Sequence, residues 1–307
     1  MTTSPKYSIV IPVFNSEDSL EELFLGIKTL FEARNESYEV IFVEDHGKDG
    51  SWQVLKKLKD EYPDLIKAIR LSKNFGQHNA TLCGFGFARG EFIITIDDDL
   101  QTPPAEIAKL IDAMANEPVD LVYGISGKKN HSRARNLGSA SLKKSSKALH
   151  GSPGEGSSFR LITKDLVDKI REHHQHFIYL DEVLFWYTDD ISFVEVIHLP
   201  RKYKQSGYSW GKLMHMMANI LLYYTMLPLK FLVYGGFFFS LVTFGYGVFH
   251  IIKKWLFDVP LGYTSLIVAI LFSTSIILFS LGVIGEYLRR IYEVQNRKPP
   301  FSIQKII

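Results

Sequence analysis

The stretch FIITIDDDLQTPP, residues 92–104, places three consecutive carboxylates directly after a run of apolar, β-prone residues. Like charges repel each other, so a bare acidic cluster stabilises nothing by itself and a cation is expected beside it. In an extended backbone alternate side chains share a face, which would turn Asp97, Asp99 and Gln101 one way and Asp98 the other. Two carboxylates and an amide oxygen form a hard oxygen donor set, which predicts Mg²⁺ or Mn²⁺. The alternative is that the acids belong to the N-terminus of the next helix, where one carboxylate would be enough.

Strand and helix patterns alternate along the first 124 residues. Apolar runs of strand length lie at 7–14, 38–45, 66–72, 91–99 and 120–124, separated by helical patterns at about 16–31, 51–62, 76–88 and 104–116. Strict alternation predicts an α/β fold with a mostly parallel sheet and helices on both faces. Ligands of such sheets bind beyond the carboxyl ends of the strands. The acids that end the second and fourth strands are therefore expected to meet in one crevice.

A basic segment rich in small residues, 126–157, breaks this pattern. Beyond it, strands are predicted at 157–162 and 191–199, and helices from Thr163 and over 177–188. An amphipathic, aromatic stretch at 208–227 then predicts a helix that lies in a membrane interface. These patterns divide the chain into a first domain, residues 1–207, and a juxtamembrane helix, residues 208–230.

Two long uncharged runs follow, at 231–252 and 264–285. Each is long enough to cross a hydrocarbon core of roughly 30 Å, and a pair of buried helices in a soluble domain is the less favoured alternative. Basic residues flank the outer ends of the pair, whereas the turn between them holds only Lys253 and Lys254. The positive-inside rule therefore predicts a two-helix transmembrane hairpin with both termini in the cytoplasm and a cytosolic tail at 286–307.

Composition excludes several classes of protein. Charged residues make up 22% of the 307 and the formal net charge is +2, which fits neither a disordered chain nor one that coats nucleic acid. Cys83 is the single cysteine, so no intramolecular disulfide can form and a reducing compartment is expected. No G-x-G-x-x-G follows the first strand, which disfavours a dinucleotide-dependent oxidoreductase. The predicted location is the cytoplasmic membrane, with the first domain in the cytosol.

Polar residues also follow the other early strands. Asp45 ends the second strand, where its carboxylate can accept a hydrogen bond from a base N–H or can simply serve the turn that follows. Lys73, Asn74 and Gln77 lie at a strand-to-helix junction, where a cation and backbone N–H groups suit phosphate. The alternative for these residues, as for Asn15 after the first strand, is a turn and a helix cap.

Taken together, several stretches resemble a known family. SIVIPVFN, VIFVEDHGKDGS, LSKNFGQHNATLCGFGFARG, IDDDLQTPP and SSFRLI are similar to glycosyltransferase family two, which has the GT-A fold. The C-terminal pair of apolar runs resembles the polyprenyl-phosphate glycosyltransferases, the branch that contains dolichyl-phosphate mannose synthase and bactoprenol glucosyltransferases. The resemblance covers nearly the whole chain, and IDDDLQTPP together with KNFGQ is its most specific part.

The resemblance implies a nucleotide-sugar donor, a divalent metal and a lipid-phosphate acceptor. The residues that it implies for nucleotide binding are Pro12, Phe14, Asn15, Asp45, Lys73, Asn74 and Asp97. The implied metal ligands are Asp97, Asp99 and Gln101. The candidate catalytic residues are Asp99 and four cations that suit an anionic acceptor, Arg133, Arg135, Arg160 and Arg201. The activity it implies is inverting transfer of one sugar, most often from a UDP-sugar, to a polyprenyl phosphate for modification of cell-envelope glycans. Membrane lipids are further expected partners, and a homo-oligomer is compatible with the sequence.

The choice of acceptor decides which other residues are needed. A hydroxyl acceptor needs a general base, whereas a phosphomonoester is already anionic at neutral pH and needs cations to offset its repulsion from the donor. Arg133 and Arg135 suit that role because guanidinium matches phosphate bidentately, while Lys143 and Lys144 equally suit lipid headgroups. The rival enzyme extends a lipid-linked or polymeric glycan with Asp181 as base, although we interpret Asp181 as a surface acid. A membrane scaffold that binds nucleotide without catalysis is the rival from another class.

Overall fold

The computed structural model describes residues 4–126, 157–171, 179–200, 202, isolated positions between 234 and 256, 262–295 and 299–307. The chain divides into two compact units. The first comprises residues 1–207 together with 298–307, and the second comprises residues 208–297.

The first unit is built on an eight-stranded sheet in the order β7-β5-β6-β4-β1-β2-β3-β8. Its strands are β1 (Tyr7–Val13), β2 (Tyr38–Glu44), β3 (Ile66–Leu71), β4 (Phe92–Thr95), β5 (Leu121–Ser126), β6 (Arg160–Thr163), β7 (Ile191–Val196) and β8 (Ile303–Ile306). The first seven lie where the sequence predicts strands, although β6 begins three residues later than expected. The central strands β1 and β2 are buried along nearly their whole length, as continuous apolar runs in a doubly wound sheet should be.

Helices cover both faces of this sheet, as the alternation predicts. They are α1 (Leu20–Arg34), α2 (Ser51–Glu61), α3 (Gln77–Phe85), α4 (Ile107–Asn116), α5 (Lys164–Arg171) and α6 (Leu180–Tyr187). One face of β1 packs with α1, α2 and α4 in the main apolar core. The other face packs against α3, where a Cβ added at Gly84 would lie 2.3 Å from Val10 Cγ1. Only glycine allows the helix to approach the strand so closely.

The sheet is mixed, with parallel pairs at its centre. β1 pairs in parallel with β2 and β4, β2 with β3, and β5 with β7. β6 runs antiparallel between β4 and β5. The mostly parallel sheet is confirmed among the described strands, and the antiparallel β6 brings the segment before Arg160 to the carboxyl end of β4.

The chain's C-terminus returns to the sheet, which the sequence analysis did not predict. β8 pairs antiparallel with β3 at the edge of the sheet. Ile307 and Ala68 exchange two backbone hydrogen bonds of 2.9 and 3.0 Å, and Ser72 N donates to Ser302 O at 2.8 Å. The last residues are therefore part of the sheet rather than a separate tail.

Deletion of residues 302–307 should destabilise the first unit. It removes several ladder hydrogen bonds, each of which contributes about 1 kcal/mol, and it exposes the β3 edge. We expect the truncated chain to lose about 2–4 kcal/mol in the free energy of unfolding relative to the full-length chain, as measured by urea denaturation of both. Lys305→Ala is the control, because its side chain is exposed and the ladder is kept. Unchanged unfolding of the truncated chain would show that β8 adds no stability.

The second unit contains the long helix α7 (Tyr263–Gln295), which covers the second of the two uncharged runs. The predicted interfacial helix at 208–227 lies outside the described residues, and so does most of 231–252. Among the residues that the structure describes, no helix meets the length and apolarity needed to cross a membrane.

Candidate active site

The acidic loop follows β4 at the carboxyl edge of the sheet. The strand ends at Thr95, and Leu100 has a φ of 57°, so the backbone turns through the three carboxylates instead of continuing as a strand. The alternation rule applies to an extended backbone and so does not apply to this turn. The Asp97 carboxylate binds Gln77 and Ser158, whereas the Asp98 carboxylate binds Phe14 N. The Asp99 carboxylate accepts a hydrogen bond from Gln101 N at 3.1 Å, which closes a tight Asx turn.

Asp97 is held from two sides. Gln77 Nε2, on the first turn of α3, donates to Asp97 Oδ1 at 2.5 Å. Ser158 Oγ, just before β6, donates to Asp97 Oδ2 at 2.6 Å. Each carboxylate oxygen has a second lone pair, so these bonds orient the group and still allow it to bind a cation. Ser158 was not among the predicted site residues, because no local pattern marks a serine that a distant strand brings to Asp97.

Asp98 joins the acidic loop to the loop after β1. Its Oδ2 accepts a hydrogen bond from Phe14 N at 2.9 Å, and its carbonyl accepts one from Ser19 Oγ at 2.5 Å. The residue is half-buried as a whole, but its carboxylate is enclosed, and desolvation raises its pKa to about 6 against the hydrogen bonds from Ser16 and Phe14. Asp98 thus organises the β1–α1 loop, a role that the sequence analysis did not assign to it.

The β1–α1 loop is tied in turn to the loop after β2. Asn15 has a φ of 51°, and its Oδ1 accepts from Lys48 N at 2.6 Å. Ser16 N donates to Ser51 Oγ at 2.8 Å. Pro12 is buried within β1, whereas the Phe14 side chain is 48% exposed beside these loops. An exposed aromatic ring in the predicted crevice is suited to stack on a base.

Asp45 supports the loop between β3 and α3. Its two carboxylate oxygens accept from Phe75 N at 2.7 Å and from Gly76 N at 2.8 Å. Burial raises the pKa of Asp45 to about 6, although these two N–H groups oppose the shift. Lys73 and Asn74, on the same loop, are exposed. The structure therefore brings the predicted nucleotide-binding residues of three loops to one edge of the sheet, with Asp45 as a support for the third.

The raised pKa of Asp45 predicts a pH dependence. An acid whose folded pKa exceeds its unfolded value, near 4, binds its proton more tightly when folded. Its contribution to stability is therefore greatest below pH 4 and is lost as the pH rises through 6. Relative to Asp45→Asn, the wild type should lose about 1–3 kcal/mol of unfolding free energy between pH 4 and pH 7 in urea titrations. The exposed Asp60→Asn should follow the wild type, and an Asp45→Asn curve parallel to the wild type would contradict the assignment.

Arg160 and Asp181 form a buried ion pair, which corrects two predictions. Arg160, at the start of β6, has a side chain that is 2% exposed and is paired with the Asp181 carboxylate. Arg160 therefore cannot meet an acceptor phosphate where it lies. Asp181 is not a surface acid, because α6 turns it inward with Val183 and Leu184. Asp181 lies three residues before Leu184 and so shares the apolar stripe of α6. That spacing was the signal in the sequence that Asp181 is buried.

The end of β7 is joined to the acidic loop. Leu199 N donates to Gln101 O at 2.7 Å, and Gln101 Nε2 donates to Leu199 O at 3.2 Å. The predicted metal ligand Gln101 therefore also anchors the segment that leads to residue 201. The remaining predicted cations, Arg133, Arg135, Lys143, Lys144 and Arg201, lie outside the described residues.

The acidic loop has the donor set of a cation site. Asp97 and Asp99 are half-buried on one turn with Gln101, so two carboxylates and an amide oxygen are close in the chain and accessible. Within the described part of the chain there is no cluster of three or more His, Cys, Asp or Glu side chains in metal-binding geometry. A site with one or two carboxylates fits Mg²⁺ or Mn²⁺ that is also bound by substrate phosphates and water.

Comparisons with known proteins agree with this architecture. The profile of the family "Glycosyl transferase family 2" matches residues 8–171, and that of the "GtrB C-terminal hairpin" matches residues 227–291. The chain is 34% identical to a glycosyltransferase of Synechocystis sp., over 97% of this chain and 95% of the relative. It is 30% identical to the undecaprenyl-phosphate 4-deoxy-4-formamido-L-arabinose transferase of Proteus mirabilis, over 98% of this chain and 94% of the relative.

Among solved structures, a mannosyltransferase of Pyrobaculum calidifontis is 18% identical, with a TM-score of 0.48 over 67% of this chain and 59% of the other. The family profile spans the strands β1 to β6 that carry the acidic loop, and the two relatives match the chain over nearly its full length. The chain belongs to glycosyl transferase family 2, and its α/β sheet is the GT-A fold of that family.

Proposed function

We propose that this enzyme transfers a single sugar, with inversion, from a nucleotide-sugar to a polyprenyl phosphate of the undecaprenyl type. The observation that carries the proposal is the similarity, over 98% of the chain, to a protein named as an undecaprenyl-phosphate sugar transferase. The match to a GtrB-type C-terminal hairpin supports the same class of acceptor. A UDP-sugar is the proposed donor, and the lipid-linked sugar would serve the modification of cell-envelope glycans.

The described residues have separate parts in this reaction. Phe14 would stack on the base, and Lys73 and Asn74 would contact the diphosphate from the β3–α3 loop. Asp97, Asp99 and Gln101 would hold Mg²⁺ or Mn²⁺. The bound ion would screen the diphosphate and stabilise the charge that develops on the nucleotide leaving group. Gln77 and Ser158 keep Asp97 oriented for this task.

The environment of Asp181 supports a phosphate acceptor over a hydroxyl acceptor. A general base must reach the acceptor proton within hydrogen-bond distance. Asp181 is 6% exposed and is already paired with Arg160 and Tyr123, so the base that the sequence suggests for the hydroxyl route is enclosed. A phosphomonoester needs no base because it is already an anion at neutral pH.

The test is a transfer assay with purified full-length protein in detergent. The protein is incubated with a panel of nucleotide sugars, Mg²⁺ or Mn²⁺, and either undecaprenyl phosphate or undecaprenol, and the lipid is analysed by mass spectrometry. With one donor of the panel, we expect the mass of the lipid phosphate to increase by that of a single sugar residue. Products that carry several sugars, or transfer to undecaprenol in place of its phosphate, would favour the glycan-extending alternative.

We further propose a cytoplasmic-membrane location with the catalytic unit and both termini in the cytosol. The basic residues that flank the two uncharged runs support this topology. Tags before Met1 and after Ile307 should be protected from protease in sealed cells, and a cysteine introduced at Val259 in the Cys83→Ala background should be labelled from outside. Accessibility of one terminus but not the other would contradict the hairpin.

A further inference from the structure

We propose that Asp181 and Arg160 are positioning residues, which hold the metal-binding carboxylate of Asp97 through Thr95 and Ser158. The proposal rests on the proposed function in one respect, namely that Asp97 binds the cation of the donor complex. Neither residue touches the substrate in this proposal. They act by fixing the Asp97 carboxylate, which binds the cation.

The first part of the connection is the buried ion pair. The Arg160 guanidinium pairs with Asp181 Oδ1, and the same oxygen accepts a hydrogen bond from Tyr123 OH at 2.9 Å. The pair brings together three elements, since Tyr123 lies on β5, Arg160 on β6 and Asp181 on α6. An ion pair of this kind contributes little net stability because desolvation offsets its attraction, but removal of one partner leaves a costly buried charge. Because the unpaired state is so costly, the ion pair holds the Arg160 guanidinium in one orientation.

The second part runs from Arg160 to the acidic loop. Arg160 Nε donates to Thr95 Oγ1 at 3.2 Å, and Thr95 Oγ1 donates to Ser158 O at 2.5 Å. Ser158 Oγ then donates to Asp97 Oδ2 at 2.6 Å. Thr95 is the last residue of β4 and is paired with Arg160 in the sheet register, so this connection begins where the strand ends. Arg160, Thr95 and Ser158 thus connect Asp181 on α6 to a predicted metal ligand, and the connection passes through both the carbonyl and the hydroxyl of Ser158.

The physical consequence concerns metal affinity. Groups that hydrogen-bond to a metal ligand fix its direction, and their loss typically costs about ten- to a hundredfold in metal affinity or activity. Gln77 binds Oδ1 of Asp97 and Ser158 binds Oδ2, so loss of the Ser158 bond removes one of the contacts that orient the carboxylate. A purely structural role for the pair would change stability and leave the metal requirement unchanged.

The chain offers a matched control for the ion pair. Glu39 on β2 is 3% exposed and accepts three hydrogen bonds from Arg89, two of 2.7 and 2.9 Å from the guanidinium and one of 2.8 Å from the backbone N–H. Glu39 also accepts from Ser8 Oγ at 2.7 Å. These residues lie near the amino ends of β1 and β2, away from the acidic loop at the carboxyl ends. Glu39→Gln should therefore lower the melting temperature and leave the metal requirement of the wild type.

The experiment measures UDP and GDP binding by calorimetry in the full-length protein, as a function of Mn²⁺ concentration. Thr95→Val removes the hydroxyl that joins Arg160 to Ser158 with little change in shape, and Ser158→Ala removes the last bond. Both should raise the Mn²⁺ concentration needed for half-maximal nucleotide binding by about tenfold or more. Ser158→Ala should keep a melting temperature near that of the wild type, whereas Thr95→Val should lower it, because it removes the acceptor of the buried Arg160 Nε. Asp181→Asn, where it folds, should show the same increase together with a lower melting temperature.

Two results would overturn the inference. One is a wild-type Mn²⁺ requirement in Thr95→Val, whatever the result for Ser158→Ala, and the other is an equal increase in Glu39→Gln. Absence of Mn²⁺-dependent binding of either nucleotide to the wild type is a different result. It would refute the proposed metal-dependent donor site itself, and with it the role given to Asp97.

Discussion

Asp99→Asn is expected to abolish sugar transfer while the protein stays folded. Asp99 lies on the same turn as Asp97, and its carboxylate is half-buried at the carboxyl edge of the sheet. Substitution by an amide keeps the Asx turn to Gln101 N, because the amide oxygen can accept the same hydrogen bond. It removes the negative charge that a hard cation requires, so a rate loss of about 10³-fold or more is expected.

The measurement compares initial rates of lipid glycosylation at limiting and saturating Mn²⁺. The exposed Asp60→Asn on α2 is the control for the loss of one carboxylate, and it should keep the wild-type rate. Asp98→Asn is not a neutral control, since the Asp98 carboxylate accepts the hydrogen bond from Phe14 N that shapes the β1–α1 loop. If Asp99→Asn kept the wild-type rate at limiting Mn²⁺, the assignment of Asp99 as a metal ligand would be wrong.

Most of the sheet was predictable because its strands can be identified from their own residues, without knowledge of distant contacts. Buried strands such as β1 and β2 are continuous apolar runs that end at turn residues, and each is followed by a helix with an apolar stripe. β8 gave no such signal. It is four residues long, half of them polar, and it forms only because β3 offers a free edge more than 200 residues away in the chain.

The sequence predicted which residues lie at the candidate site better than it predicted how they are arranged. Asp97 and Asp99 were identified from residue type and position after a strand, which are local properties. The directions of their side chains depend on the turn at Leu100, whose φ of 57° no alternation rule could anticipate. The parts played by Ser158 and Asp181 depend on contacts between distant elements, and those contacts are set by the tertiary fold.

The acceptor class can be decided with Arg133→Ala and Arg135→Ala. These arginines belong to the basic segment after β5, and their role is inferred from charge and sequence. If the nucleophile is a lipid phosphate, they offset the repulsion between two anions that must approach each other. Loss of one charge-assisted hydrogen bond costs roughly 1.5–3 kcal/mol, so each substitution should slow transfer about ten- to a hundredfold. Initial rates are measured with saturating donor and limiting undecaprenyl phosphate.

Metal-dependent hydrolysis of the donor separates an acceptor defect from a donor defect. It needs no lipid, so both arginine variants should retain the wild-type hydrolysis rate, and the loss of transfer should be largest when the acceptor is limiting. Lys143→Ala is the control for the loss of a basic residue from the same segment. Asp181→Asn does not discriminate between acceptors, because it breaks a buried ion pair and would impair the enzyme under either mechanism. Near-normal transfer by both arginine variants, together with transfer to undecaprenol, would identify a hydroxyl as the acceptor.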